Sequence, residues 1–202
     1  MIRLFEIKLP VNHAPDALKK AAARALRISE SSIETLTIRR QAVDARKKNA
    51  ISFVYTLDCK VQGEQNLVCK CATQKIIITP DETYATVTPG TTPLNGNPLI
   101  VGSGPAGLFT ALLLAQNGYN PVLIERGADV DMRTKSIDSF WKNGILDPES
   151  NVQFGEGGAG TFSDGKLTTL INDPRCKKVL EEFVAAGAPE HILFVNKPHI
   201  GT

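Results

Sequence analysis

The sequence predicts an α/β chain: a small α+β domain over residues 1–90, then a parallel βαβ unit opening residues 91–202. Three observations lead there. Residues 88–98, rich in Pro, Gly, Thr and Asn, form a stretch where neither helix nor ladder persists, and the boundary falls inside it. Ahead of it, Ile51, Phe53, Tyr55, Leu57, Cys59 and Val61 occupy every second position, the period of a half-buried strand. Behind it, the wholly apolar Leu99-Ile100-Val101 runs straight into Gly102-Ser103-Gly104-Pro105-Ala106-Gly107.

Composition supports a folded chain and removes several classes. The 202 residues are 42% hydrophobic and 22% charged, close to the globular average, which excludes disorder, collagen and a coiled coil. A bilayer span needs about 18–20 consecutive apolar residues; residues 97–115 come closest and are interrupted by glycines, a proline and polar groups. Glu6 stands too early for a secretory leader, and four cysteines in this length make no disulfide scaffold, so a cytoplasmic location without membrane attachment is expected. The net charge of +2 hides an asymmetry. Residues 1–90 carry 14 Lys and Arg against 9 Asp and Glu, while residues 91–202 carry 9 against 12. Two units with different surfaces follow from that split.

In the front unit the alternation predicts a strand at 3–9, and apolar residues at helical spacing predict a helix over 14–26. Residues 33–43 and 51–61 read as a hairpin joined by the polar bend at 44–49. Short strands at 67–71 and 76–78 would complete a small sheet. Arg39, Arg40, Arg46, Lys47 and Lys48 gather on or near the hairpin. They read first as a solvated face; a nucleic-acid or anionic-partner patch is the alternative, disfavoured because no aromatic residues interleave with them to stack bases. Cys69 and Cys71, with Cys59 nearby, lack the histidines of a zinc site and read as reduced, buried side chains on one face of a strand. No metal site is expected.

The strand–glycine–helix passage carries chemistry. After the glycines, residues 108–116 form an apolar helix, Asn117-Gly118 ends it, and Val122-Leu123-Ile124 makes a second strand closed by Glu125, 23 positions after Gly102. The first strand, wholly apolar, reads as buried on both faces. Gly102 permits the sharp turn, Gly104 leaves room for a pyrophosphate to approach the backbone, and Gly107 lets the helix pack against the sheet. Exposed amides at the helix start suit a diphosphate, and Pro105 sits where its missing N–H costs nothing. Glu125 is placed to accept hydrogen bonds from a ribose diol, and its charge disfavours a 2′-phosphate. This is the Rossmann-like dinucleotide fingerprint with its flanking elements at the right spacing. NAD and FAD both fit it.

The second glycine-rich stretch narrows the choice. In residues 154–167, six of fourteen residues are glycine or alanine, giving a loop that cannot form a core but whose bare backbone can lie against phosphate and flavin. Gly102-Ser103-Gly104-Pro105-Ala106-Gly107 followed by Ile124-Glu125-Arg126 resembles the two-dinucleotide-binding flavoproteins of the glutathione reductase-like superfamily. The text from Met1-Ile2-Arg3-Leu4 through Val43–Lys48, Asn151–Leu167 and Lys197–Thr202 resembles a bacterial family of predicted FAD-dependent dehydrogenases, with a small α+β domain ahead of the flavin domain. That resemblance implies FAD as cofactor, held by Gly102, Ser103, Gly104, Pro105, Ala106 and Gly107, with Glu125 on the adenosine ribose and Arg126 flanking the adenosine. It places Gly157, Gly158, Ala159, Gly160 and Thr161 along the diphosphate and ribityl chain. It also implies a longer protein, with NAD(P)H as a candidate electron donor and a small-molecule substrate; 202 residues read as its N-terminal part, inactive alone. No catalytic acid or base is identified. Asp164 and Lys166 read as a local ion pair or phosphate contact, His199 as an unremarkable surface histidine, and Ile137, Phe140 and Trp141 as the inner face of a helix. The alternative from another class is a non-catalytic dinucleotide-binding or regulatory protein whose basic front domain recruits RNA or an acidic partner.

Overall fold

The computed structural model describes residues 1–71, 73–169, 171 and 173–200. Gly201 and Thr202, which end the stretch Lys197–Thr202 that carries part of the family resemblance, lie outside the described residues. The chain divides into two compact units, Met1–Ala85 with Leu167–Ile200, and Thr86–Lys166.

The first unit is built on β1 (Ile2–Pro10), α1 (Ala17–Leu26), β2 (Ile33–Asp44), β3 (Ser52–Val61), α2 (Glu64–Cys71) and β4 (Ile76–Ile78). The sheet order is β2-β3-β1-β4, every neighbouring pair antiparallel, which is a split βαβ, ferredoxin-like arrangement. The predicted hairpin forms in register, with Ile38 opposite Leu57 and Val43 opposite Phe53. Period two sends Tyr55, Leu57, Cys59 and Val61 to one face, where they meet Ile2 and Leu4 of β1 and Ala22, Ala23 and Leu26 of α1. Each fully buried leucine contributes about 2 kcal/mol by leaving water.

The opposite face holds a charged network. Arg3 donates to both carboxylate oxygens of Asp58, at 2.8 and 2.9 Å, and both residues are buried. Glu82 closes it by accepting from Arg3 and from Arg39, the latter at 2.7 Å. Of the five cations flagged near the hairpin, Arg39 is thus engaged here, Arg40 donates to Asn196 Oδ1 at 2.6 Å, and Arg46 pairs with Asp44 at 2.7 Å.

Several sequence expectations change. Residues 67–71 are not a strand but the end of α2, because Leu67, Val68 and Cys71 pack on the core with the i, i+1, i+4 spacing of a helix face. Cys69 and Cys71 therefore do not share a face: Cys69 is exposed and Cys71 half-buried. Further on, Glu190–Leu193 forms a 3₁₀ turn whose His191 carbonyl takes the Val195 N–H at 3.0 Å, and Val195 bridges to Gln41 of β2. That bridge is flanked by Gln41 N–H donating to Phe194 at 2.7 Å and Asn196 N–H donating to Gln41 at 2.9 Å. Through these bonds Leu167–Ile200, including α5 (Pro174–Ala185; α3 and α4 follow below), groups with the first unit, whereas the sequence reading placed it with residues 91–202.

The second unit carries β5 (Leu99–Val101), α3 (Pro105–Gln116), β6 (Val122–Ile124) and α4 (Val130–Asn143). Strands β5 and β6 pair in parallel, Leu99 opposite Val122 and Val101 opposite Ile124, giving the incomplete Rossmann-like βαβ unit the sequence predicts. The strands are not buried on both faces. Ile100 turns toward α3, which covers one side; Leu99 and Val101, 63% and 79% exposed, point to the other. Helix α4 starts on Asp129, whose side chain accepts from Met132 N–H at 2.9 Å, and ends on Gly144. Its inner face is Ile137 with Arg133, one turn earlier, while Trp141 stands 64% exposed, outside the expected inner face. Among the described residues, no helix is long and apolar enough to cross a membrane.

Candidate functional site

The fingerprint turn is built by the end of β5, the start of α3 and the end of β6. Gly102 continues the parallel pairing through its N–H to Ile124 at 2.7 Å, then turns the chain with φ +98°. At Gly107 the helix lies so close to the strand that a Cβ would fall onto the Gly102 carbonyl oxygen. Gly104 is the opposite case: it is the N-cap of α3 in extended conformation, and nothing lies within 4 Å of where its Cβ would be. No side chain caps this helix start, and Pro105 occupies its first turn.

Glu125 meets this turn directly. Its Oε2 accepts from the buried Ser103, from N–H at 2.6 Å and from Oγ at 3.0 Å, while Oε1 accepts from Gly127 N–H at 3.0 Å. The Ser103 and Gly127 amides, against a smaller opposing effect of burial, hold its carboxyl down to about 2. It is an anion at every physiological pH. The carboxylate therefore sits against the glycine turn at the carboxyl end of the sheet, the edge at which open α/β sheets bind ligands.

The second glycine-rich stretch, some fifty residues later, lies on the same turn. Gly157 N–H donates to the Ser103 carbonyl at 2.9 Å, and a Cβ on Gly158 would stand 3.1 Å from Gly104 Cα and 3.2 Å from Pro105 Cδ. Gly158–Phe162 then forms a 3₁₀ turn containing Ala159, Gly160 and Thr161, the last donating to the Glu156 carbonyl at 3.2 Å. Ser103, Gly104, Pro105, Gly157 and Gly158 are thus neighbours. Arg126 stands slightly apart: its guanidinium lies 4.5 Å over the Phe154 ring and pairs with Glu149 at 3.1 Å. Lys166 and Asp164 form an ion pair at 2.5 Å. His199 is exposed and belongs to the other unit. Among the described residues, no group of three or more His, Cys, Asp or Glu is arranged to hold a metal.

Sequence reasoning missed Arg133. It is fully buried in α4, and its guanidinium donates to the Asn151, Val152 and Glu156 carbonyls at 2.8, 2.8 and 2.6 Å. One signal was present: Arg133 stands four residues before the buried Ile137, on the same helix face.

With the geometry in place, comparison with known proteins adds an independent view. Residues 100–163 match the family model described as an NAD(P)-binding Rossmann-like domain, and residues 1–60 match one described as a domain of unknown function (DUF8436). A protein of Clostridium beijerinckii, itself described as uncharacterized, is 43% identical over 201 residues. The alignment takes in 100% of this chain and 38% of that protein, so the chain spans well under half the length of its relative. The matched Rossmann-like segment contains the fingerprint, Glu125, Arg133 and the second glycine-rich stretch through Thr161. It supports a dinucleotide-binding domain of the oxidoreductase type.

Proposed function

We propose that this chain forms the FAD-binding part of a flavin-dependent oxidoreductase, with the diphosphate on the Gly102–Gly107 turn and the adenosine ribose on Glu125. The observation that supports it most is the seating of the second glycine-rich stretch on the first, beside an open Gly104. A nicotinamide fold needs only the first turn; a second glycine-rich segment against it suits the longer flavin cofactor, whose ribityl chain continues past the diphosphate. The residues fit such a group: an uncapped helix start, a glycine with empty space where a side chain would be, and a fixed carboxylate.

In this reading the α3 amides bind the diphosphate and the Glu125 carboxylate accepts from the ribose hydroxyls. The same negative charge repels a 2′-phosphate, so NADP is disfavoured at this site. Gly157, Gly158, Ala159, Gly160 and Thr161 line the onward path and keep it free of bulky side chains, and Arg126 flanks the adenosine. When bound, FAD supplies the hydride or electron transfer. The substrate, and NAD(P)H as electron donor, belong to the whole protein.

Titrating the purified protein with FAD, NAD and NADP, followed by flavin fluorescence or by calorimetry, tests this directly. FAD should bind most tightly and NADP least. NAD bound in preference to FAD would favour a nicotinamide site instead.

A further inference from the structure

We propose that Arg133 is the positioning residue that seats the second glycine-rich stretch on the diphosphate turn, so that dinucleotide affinity is set partly from helix α4. This rests on the reading of the site as a dinucleotide site. Arg133 lies outside both glycine motifs and sends its three hydrogen bonds elsewhere than Gly102–Gly107 or Glu125, yet it is completely buried. Its three donors fork to three separate carbonyls, of Asn151, Val152 and Glu156, and its guanidinium also lies 4.9 Å over the Phe162 ring. These partners bracket Gly157 and Gly158, which reach the turn: Asn151, Val152 and Glu156 precede them and Phe162 follows.

The path of the side chain is cut into the loop. Gly155 has φ +116°, and a Cβ there would lie 2.7 Å from Arg133 Cδ and 3.0 Å from the Ala128 carbonyl. Gly127 in turn would bring a Cβ 2.5 Å from Gly155 Cα. Two glycines 28 residues apart are therefore bare where the arginine and the loop pass each other. Immediately beyond, Glu156 N–H donates to Ala128 at 3.1 Å and Gly157 N–H donates to Ser103 at 2.9 Å, the bond that joins loop to turn.

The chemistry favours arginine. The buried Arg133 guanidinium is met by three carbonyl dipoles and by the attraction of the Glu125 carboxylate, which together offset the cost of taking its charge out of water. A guanidinium spreads its charge over a planar fork that can reach three carbonyls in different directions; an ammonium offers a single point.

The test compares wild type, Arg133→Lys, Arg133→Met and Gly155→Ala. Hydrogen exchange is read at the Glu156 and Gly157 amides and across residues 99–116, together with FAD titration. Arg133→Met and Gly155→Ala should raise exchange at 156 and 157 at least about tenfold, leave 105–116 protected, and weaken FAD binding by about tenfold or more. Arg133→Lys should recover part of the affinity. Unchanged exchange at 156 and 157 would overturn the seating role, as would protection lost evenly over 99–143, which marks a merely structural residue. A loosened loop with unaltered FAD affinity would overturn the link to binding. Failure of the wild type to bind FAD at all would instead overturn the cofactor reading and the affinity half of this proposal, leaving the exchange result to decide the seating by itself.

Discussion

The two units close over different chemistry. In the first, the buried residues are mostly aliphatic: Ile2, Leu4, Ala22, Leu26, Ile33, Leu57 and Ile76 share one core with Cys59 and Tyr55. In the second, the buried side chains are Ser103, Arg133, Ser150 and Asn151, with Ile137 as the one large aliphatic among those described. The first is therefore held by the hydrophobic effect, which needs no ligand. The second is held by hydrogen bonds from amides, a hydroxyl and a guanidinium to a carboxylate and to carbonyls, each worth little net against water. A polar unit of that kind gains order from whatever binds it, and its glycine turns leave the space for a binder.

That contrast can be broken or sharpened by measurement. The largest effect falls in the apolar core: Leu57→Ala should cost about 3 kcal/mol in chemical denaturation, through lost burial and the cavity left behind. Next, FAD at a hundred times its dissociation constant should stabilise the second unit by about 2.7 kcal/mol, seen as a raised thermal midpoint when Trp141, the chain's single tryptophan, is followed by fluorescence. A pH dependence comes third. The Glu125 carboxyl is held down to about 2 from an ordinary 4.5, so its stabilisation is complete above pH 4.5 and is lost as the pH falls toward 2. The Trp141 midpoint should drop across that window, and Glu125→Gln should flatten the drop. Smallest of all, Lys20→Ala, which removes a solvent-screened ion pair with Asp16 on α1, should leave the chemical-denaturation midpoint unchanged within error.

The same contrast explains what could be read in the sequence. Period-two alternation and the strand–glycine–helix–strand spacing were legible because one residue type recurs at a fixed interval, and both elements form where expected. Residues 67–71 were too few to separate helix from strand, and only packing of Leu67, Val68 and Cys71 on the core decides for the helix. Ile137, Phe140 and Trp141 have the i, i+3, i+4 spacing of one helix face, but burial centres on Arg133 and Ile137 and leaves Trp141 in solvent at the far end of that face. Arg133 was invisible as a site residue since its partners are backbone carbonyls, which every sequence has. The meeting of Gly157 and Gly158 with Ser103 and Gly104 was implied by resemblance; no local pattern encodes a contact across fifty residues.

Gly104 offers the sharpest test of the diphosphate turn. Its backbone is extended and nothing lies within 4 Å of where its Cβ would be, so the first carbon of a Gly104→Val side chain meets no neighbour in the ligand-free protein. Titrated with FAD beside wild type, it should show an unchanged thermal midpoint without cofactor and an affinity reduced at least about a hundredfold, because the methyl groups occupy the diphosphate's place. Stoichiometric FAD on Gly104→Val at wild-type affinity would contradict the account.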